Sequence, residues 1–159
     1  MTQKNLSYWL KAVIITALMV GIGVYGFFVP QFAESYRDAY DGLSSFYMPM
    51  LIFLTGTGVP CFASLIFAWK IASQIGRDNS FCRENAESMK VIAILALADV
   101  IYFRVGMIIF AVVDITTVPM LFMTFLLDIA GLAISVCSAA LSHLILKAAM
   151  LREENDLTI

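Results

Sequence analysis

Apolar and polar positions alternate along this chain in long blocks. Four apolar blocks stand out, at roughly Leu10–Val29, Met48–Ile71, Met89–Val113 and Pro119–Lys147. A helix needs ~20 apolar residues to cross the hydrocarbon core of a bilayer, and each block is that long. What remains is ends and connections, too little for a separate soluble domain. The pattern predicts an all-α membrane protein: one four-transmembrane-helix bundle occupying residues 1–159. The polar segments are an outer loop at 30–47, an inner loop at 72–88 and an acidic tail at 148–159.

Within the blocks, local signals predict where helices bend and stop. Pro30 is expected to end the first span. In the loop after it, Phe32, Tyr36 and Tyr40 recur every four residues, with Glu34, Arg37, Asp38 and Asp41 on other faces. That spacing predicts a short helix lying at the outer interface; an aromatic row that binds an extracellular ligand is the alternative. The second span contains Thr55-Gly56-Thr57-Gly58-Val59-Pro60. Proline removes a backbone donor and crowds the carbonyl four residues earlier, so Gly56 and Pro60 predict a kink, with Thr55 and Thr57 hydroxyls serving the freed backbone groups. Gly76 suits a helix C-cap, and Asp78, Asn79 and Ser80 suit the N-cap of a helix starting near Phe81. A helix from Phe81 to Val113 would be roughly 50 Å long against a core of ~30 Å, so its first two turns must lie outside the hydrocarbon. The fourth span starts at Pro119, carries a stripe of small residues at Gly131, Ser135 and Ala139 that continues to His143, and is expected to run to about Leu151.

Composition agrees: 61% of residues are hydrophobic and 14% charged, where a soluble domain carries about 25% charge. The placement of the charges adds orientation. Lys4, Lys11, Lys70, Arg77, Arg83, Lys90, Lys147 and Arg152 flank one side of the spans, and only Arg37 lies on the other. By the positive-inside rule both termini and the 72–88 loop are cytoplasmic. The basic residues are dispersed and mixed with acids, so they read as topology signals, and no direct binding of nucleic acid is expected.

Three charges fall inside the apolar blocks: Asp99, Arg104 and Asp128. Each costs ~2.5–3.5 kcal/mol at the bilayer centre on insertion scales, so such groups face protein and seek partners. Arg104 and Asp128 each lie about nine residues, or roughly 13 Å, from the outer ends of successive antiparallel spans, a matching depth that predicts a pair. The pair reads either as a permanent tie fixing helix register or as a gate that changes between states. Asp99 has no cation at its own depth; a shared Arg104, a bound proton, a polar cavity or a second subunit are the options.

Catalytic chemistry finds no support. His143 is the lone histidine, and Cys61, Cys82 and Cys137 form no CxxC or Cys/His cluster. No nucleophile–base pair, phosphate loop or zinc motif appears. The chain is expected to be no enzyme and to need no cofactor or metal. The residues Gly76, Ser80-Phe81 and Glu84-Asn85, with the terminal Glu154-Asn155-Asp156-Leu157-Thr158-Ile159, on four spans of this spacing, resemble the YoaS-like family of bacterial membrane proteins, domain of unknown function 2975. The resemblance implies a protein of the bacterial cytoplasmic (inner) membrane, often encoded beside a small helix-turn-helix regulator. It singles out Ser80, Phe81, Glu84 and Asn85 in the loop, and Glu154 to Ile159 in the tail, as the shared elements. Three functions are expected in competition. The first is a regulatory membrane protein that binds a cytosolic partner, such as that regulator, through those residues. The second is a small oligomeric transporter or channel using Asp99, Arg104 and Asp128. The third is a structural or immunity-type protein packing against another membrane protein through the Gly131 stripe; a homo-oligomer is a further possible assembly.

Overall fold

The computed structural model describes residues 2–39, 47–114 and 116–156, without the side chains of 36–39, 119 and 156. All the regular structure described is helical. Four helices are long and apolar enough to cross a membrane: Gln3–Ser35, Tyr47–Gly76, Arg83–Val112 and Met120–Asn155. Large apolar side chains such as Leu18, Ile52, Ile66, Ile101 and Phe122 are exposed along them. Among the described residues the buried set is instead rich in Ala and Ser. That inversion is what lipid demands: tails outside are as apolar as leucine, so helices associate through small residues and hydroxyls that let backbones approach.

The first span does not stop at Pro30. Helix α1 (Gln3–Gly23) passes through a π-helical turn (Val24–Phe28) into α2 (Val29–Ala39). The proline ring crowds the carbonyl of Gly26 in a regular α-helix; a wide i→i+5 turn directly before it takes up the mismatch. The helix predicted around Phe32 is therefore an extension of the first span, with Ala33 buried and Phe32 exposed. The Tyr36 side chain, Tyr40 and Asp41 lie outside the described residues.

The second span is broken where its glycines and proline stand. Helix α3 (Tyr47–Gly56) ends, Thr57 forms a turn, and α4 (Gly58–Gly76) resumes with Pro60 in its first turn. Hydroxyls serve the backbone there. Thr57 donates to the Leu54 carbonyl at 2.8 Å, and Tyr102, from the third span, donates to the Phe53 carbonyl at 3.2 Å. The glycines admit these groups: a Cβ at Gly56 would collide with the Tyr102 hydroxyl, and one at Gly58 would sit 3.2 Å from the Tyr25 ring.

Residues 77–82 connect α4 to α5 (Arg83–Val112), so α5 starts two residues after the predicted Phe81. The close of α4 falls on Asp78, not on Gly76. Asp78 takes φ 61°, its N–H bonds the Ile75 carbonyl, and the Asn79 N–H bonds the Gln74 carbonyl. This is the paired pattern of a Schellman cap. Gly76 serves packing, since a Cβ there would lie 2.7 Å from the Ser7 hydroxyl. Helix α6 (Val118–Asp156) starts one residue before Pro119 and runs past Leu151 to the end of the described residues.

Extensive packing joins successive spans: α1 with α4, α4 with α5, and α5 with α6. Ser7 donates to the buried Ala72 carbonyl at 2.6 Å and ties α1 to α4. At the other end of the molecule, Met50, Phe53, Met107 and Phe110 form a small apolar core. Phe53 stacks on Tyr102 and Phe103 and meets Phe110 edge-on, with ring centroids 5.2–5.6 Å apart.

Candidate functional site

The α5–α6 seam is built as a ladder of short contacts. Ser142 donates to the Ala86 carbonyl at 2.6 Å, and Ser135 to the Ala93 carbonyl at 2.9 Å. Gly131 lies so close to Val100 that a Cβ would overlap it. The next rung is the ion pair of Arg104 and Asp128, brought together as the depth argument requires. Asp128 is buried, while the Arg104 side chain is half exposed. On α6 the seam runs through Thr124, Asp128, Gly131, Ser135, Ser138 and Ser142, in steps of three and four. Ala139 and His143 are exposed and lie off this line. The reason is angular: steps of four advance 400° on a helix with 3.6 residues per turn, drifting about 40° each time, whereas alternating threes and fours stay on one face.

Beside the seam, α1, α4, α5 and α6 together line a cavity of about 510 Å³. Ala17 and Gly21 border it from α1, Tyr25 from the π-helical turn, and Asp128, Gly131 and Ile134 from α6. Most of its wall is apolar. The polar groups are Tyr25, Thr57, Cys61, Ser64, Asp99 and Asp128. Their hydrogens can be traced. Thr57 spends its proton on the Leu54 carbonyl and so accepts from the Tyr25 hydroxyl at 2.9 Å. Cys61 donates its S–H to Asp99 Oδ2 across 3.8 Å, a weak bond. Asp99 Oδ1 and Asp128 Oδ1 are buried and receive no hydrogen bond from the protein. Among the described residues no Lys, Arg or His pairs with Asp99, and Arg104 is committed to Asp128. Asp99 therefore borders a cavity whose wall is mostly apolar.

The motif residues of the 77–82 joint lie where α1 and α5 start and the described part of α6 ends. Asn85 is 1% exposed; its amide donates to the Ser80 carbonyl at 2.9 Å and to the Asn79 carbonyl at 3.4 Å, clamping the joint. Glu84 accepts a hydrogen bond from Gln74, and the Ser80 hydroxyl donates to Gln3 at 3.4 Å. Phe81 stands out, 55% exposed. The start of α5 is joined to the end of α6 by Arg83, whose guanidinium grips Glu153 through two bonds of 2.8 and 3.1 Å. That hydrogen-bonded grip holds the Glu153 carboxyl below the usual carboxylate range. Glu154 and Asn155 continue the helix in exposed positions. The Asp156 side chain and Leu157, Thr158 and Ile159 lie outside the described residues.

Several of these residues escaped the sequence reading. Tyr25 and Tyr102 carry no local signal; only the paired glycines around Thr57 hint that something approaches the kink. Ser142 was legible as the continuation of a three–four alternation through Gly131, Ser135 and Ser138. Gly106 accommodates the Phe53 ring, which a Cβ would overlap, and nothing in its neighbourhood announces that role.

Over 150 residues the chain is 27% identical to the uncharacterized membrane protein YoaS of Bacillus subtilis, an alignment covering 91% of this chain and 94% of that protein. No solved structure matches. The family model described as a protein of unknown function, DUF2975, matches residues 31–159. The chain belongs to the DUF2975 family of proteins of unknown function.

Proposed function

We propose that this chain is a non-enzymatic regulatory protein of the bacterial cytoplasmic membrane, with both termini in the cytoplasm. Its terminal end binds a cytosolic protein, and a small helix-turn-helix regulator is the partner that fits best. The observation that supports this is the Arg83–Glu153 bridge. Helix α6 has 39 residues, or ~58 Å, nearly twice the hydrocarbon thickness. Its last turns therefore stand clear of the bilayer, and the bridge holds them against the start of α5. A cleft of about 400 Å³ lies there, lined by Phe81, Arg83, Glu84, Arg152 and Glu153 among others.

This is an ordered platform with an exposed aromatic ring and a surplus of acid towards the C-terminus. Asn85 supports it from beneath, by holding the joint. DNA-binding domains are usually basic, so the acidic tail would compete with DNA for such a partner. The test is affinity capture from native membranes, comparing the intact chain with one ending at Leu151 and with Phe81→Ser. Recovery of a basic DNA-binding protein by the intact chain, and its loss from both variants, is expected. Equal recovery by all three, or recovery of nothing, counts against the proposal.

A further inference from the structure

We propose that the cavity between the spans is a binding site for an amphiphilic organic amine, in which Asp99 receives the ligand's ammonium group. The inference is independent of what the terminal platform binds. Three observations lead to it, beginning with size and lining. A space of about 510 Å³ with mostly apolar walls falls within the ~300–1,000 Å³ typical of small-molecule pockets, and is far larger than a bare ion needs. Among the described residues, no group of three His, Cys, Asp or Glu side chains could hold a metal.

The second observation is charge. Two carboxylates border the cavity and one cation answers them, because Arg104 is taken by Asp128. Removing an ion from water is costly unless a partner offsets it, so this site favours a positive guest over a neutral or negative one. The third is hydrogen bonding. Asp99 Oδ1 is a buried acceptor to which the protein offers no donor, and an ammonium has donors but no acceptor. A charge-assisted bond of this kind is about twice as strong as a neutral one.

Access fits the same ligand. The extensive packing runs from each span to the next, and α1 and α6 border the cavity without packing extensively on each other. Ala17 and Gly21 on α1 are small residues at that border. A guest with an apolar body can partition into the bilayer and enter sideways, leaving its charged end to find Asp99.

The test uses the full chain in phosphatidylcholine nanodiscs with 1-naphthylmethylamine as the probe. Its neutral isostere 1-naphthylmethanol is the comparator, and empty discs give the partitioning background. Binding is read by equilibrium dialysis, and location by mapping which cysteines the amine shields from maleimide. Saturable binding of the amine above background is expected, with shielding of Cys61, which borders the cavity, and none of Cys137. The alcohol, and the amine on Asp99→Asn, should each bind about tenfold or more weakly. Ala17→Phe, at an exposed position that narrows the cavity without touching the carboxylate, should weaken the amine and lift the shielding of Cys61; it decides the matter if Asp99→Asn fails to fold. The proposal is overturned by an amine signal no greater than in empty discs. It is equally overturned by equal binding of amine and alcohol, by an unchanged folded Asp99→Asn protein, or by unaltered binding in Ala17→Phe. The cavity would then hold a neutral apolar guest or a lipid tail.

Discussion

Breaking the Arg104–Asp128 pair from its two sides should give very unequal results. The Asp128 side chain is 6% exposed, while that of Arg104 is 50% exposed. Arg104→Met removes the cation and strands a carboxylate that also has an unanswered oxygen; breaking a buried pair in this way costs about 3–5 kcal/mol. Asp128→Leu removes the buried member instead. The guanidinium left behind is already half exposed and can extend toward the headgroups, so the loss is close to that of one hydrogen bond to a charged group, roughly 1.5–3 kcal/mol. The double variant Arg104→Met/Asp128→Leu leaves no charge to strand and should fall within about 1–2 kcal/mol of wild type, since apolar replacement of an entire buried pair is often neutral. The double-mutant cycle should then show a coupling energy of at least about 2 kcal/mol. Reversible unfolding in bicelles by steric trapping, with all four proteins at one pH and ionic strength, measures these differences. Equal losses in the two single variants would refute the burial argument. A double variant as unstable as the sum of its parents would show that the two side chains do not act as a pair.

Gly106→Ala places a methyl group where the Phe53 ring lies, and that ring is held among Tyr102, Phe103 and Phe110. A loss of about 1–3 kcal/mol is expected from such overpacking, and the added substitution Phe53→Leu should recover part of it in the same unfolding assay. Asn85→Ala leaves the Asn79 and Ser80 carbonyls without their clamp. It should destabilise by about 1–3 kcal/mol and raise hydrogen exchange in residues 77–82 more than in the spans. The Arg83–Glu153 bridge should respond to pH with a definite sign. The folded carboxyl titrates below its ordinary value because of the hydrogen bonds from Arg83, so the contact is fully present above the unfolded value near 4.3 and is lost as pH falls through the lower folded value. Distance measurements between spin labels at the starts of α5 and the end of α6 should therefore broaden only in acid, and salt should weaken the contact at neutral pH.

The sequence by itself determined what depends on distance along one helix. Hydropathy set four spans, because hydrocarbon thickness and rise per residue are fixed lengths. The same arithmetic put Arg104 and Asp128 at one depth, and the Gly56–Pro60 stretch announced a broken helix through the chemistry of proline. What it left open was angular. In water, an apolar stripe tells which side of a helix faces the core; in a bilayer both sides are apolar, and that signal vanishes. Hence Ala139 reads as part of a packing stripe but lies off the seam, while Ser138 and Ser142 lie within or beside it. Only the tertiary structure decided that Tyr25 and Tyr102 reach the kink from two other spans. It also decided that a π-helical turn carries the first helix past Pro30, and that Asn85 turns inward to hold its own joint. The cavity at Asp99 belongs to the same class: it exists between four helices whose rotations no single stretch of sequence specifies.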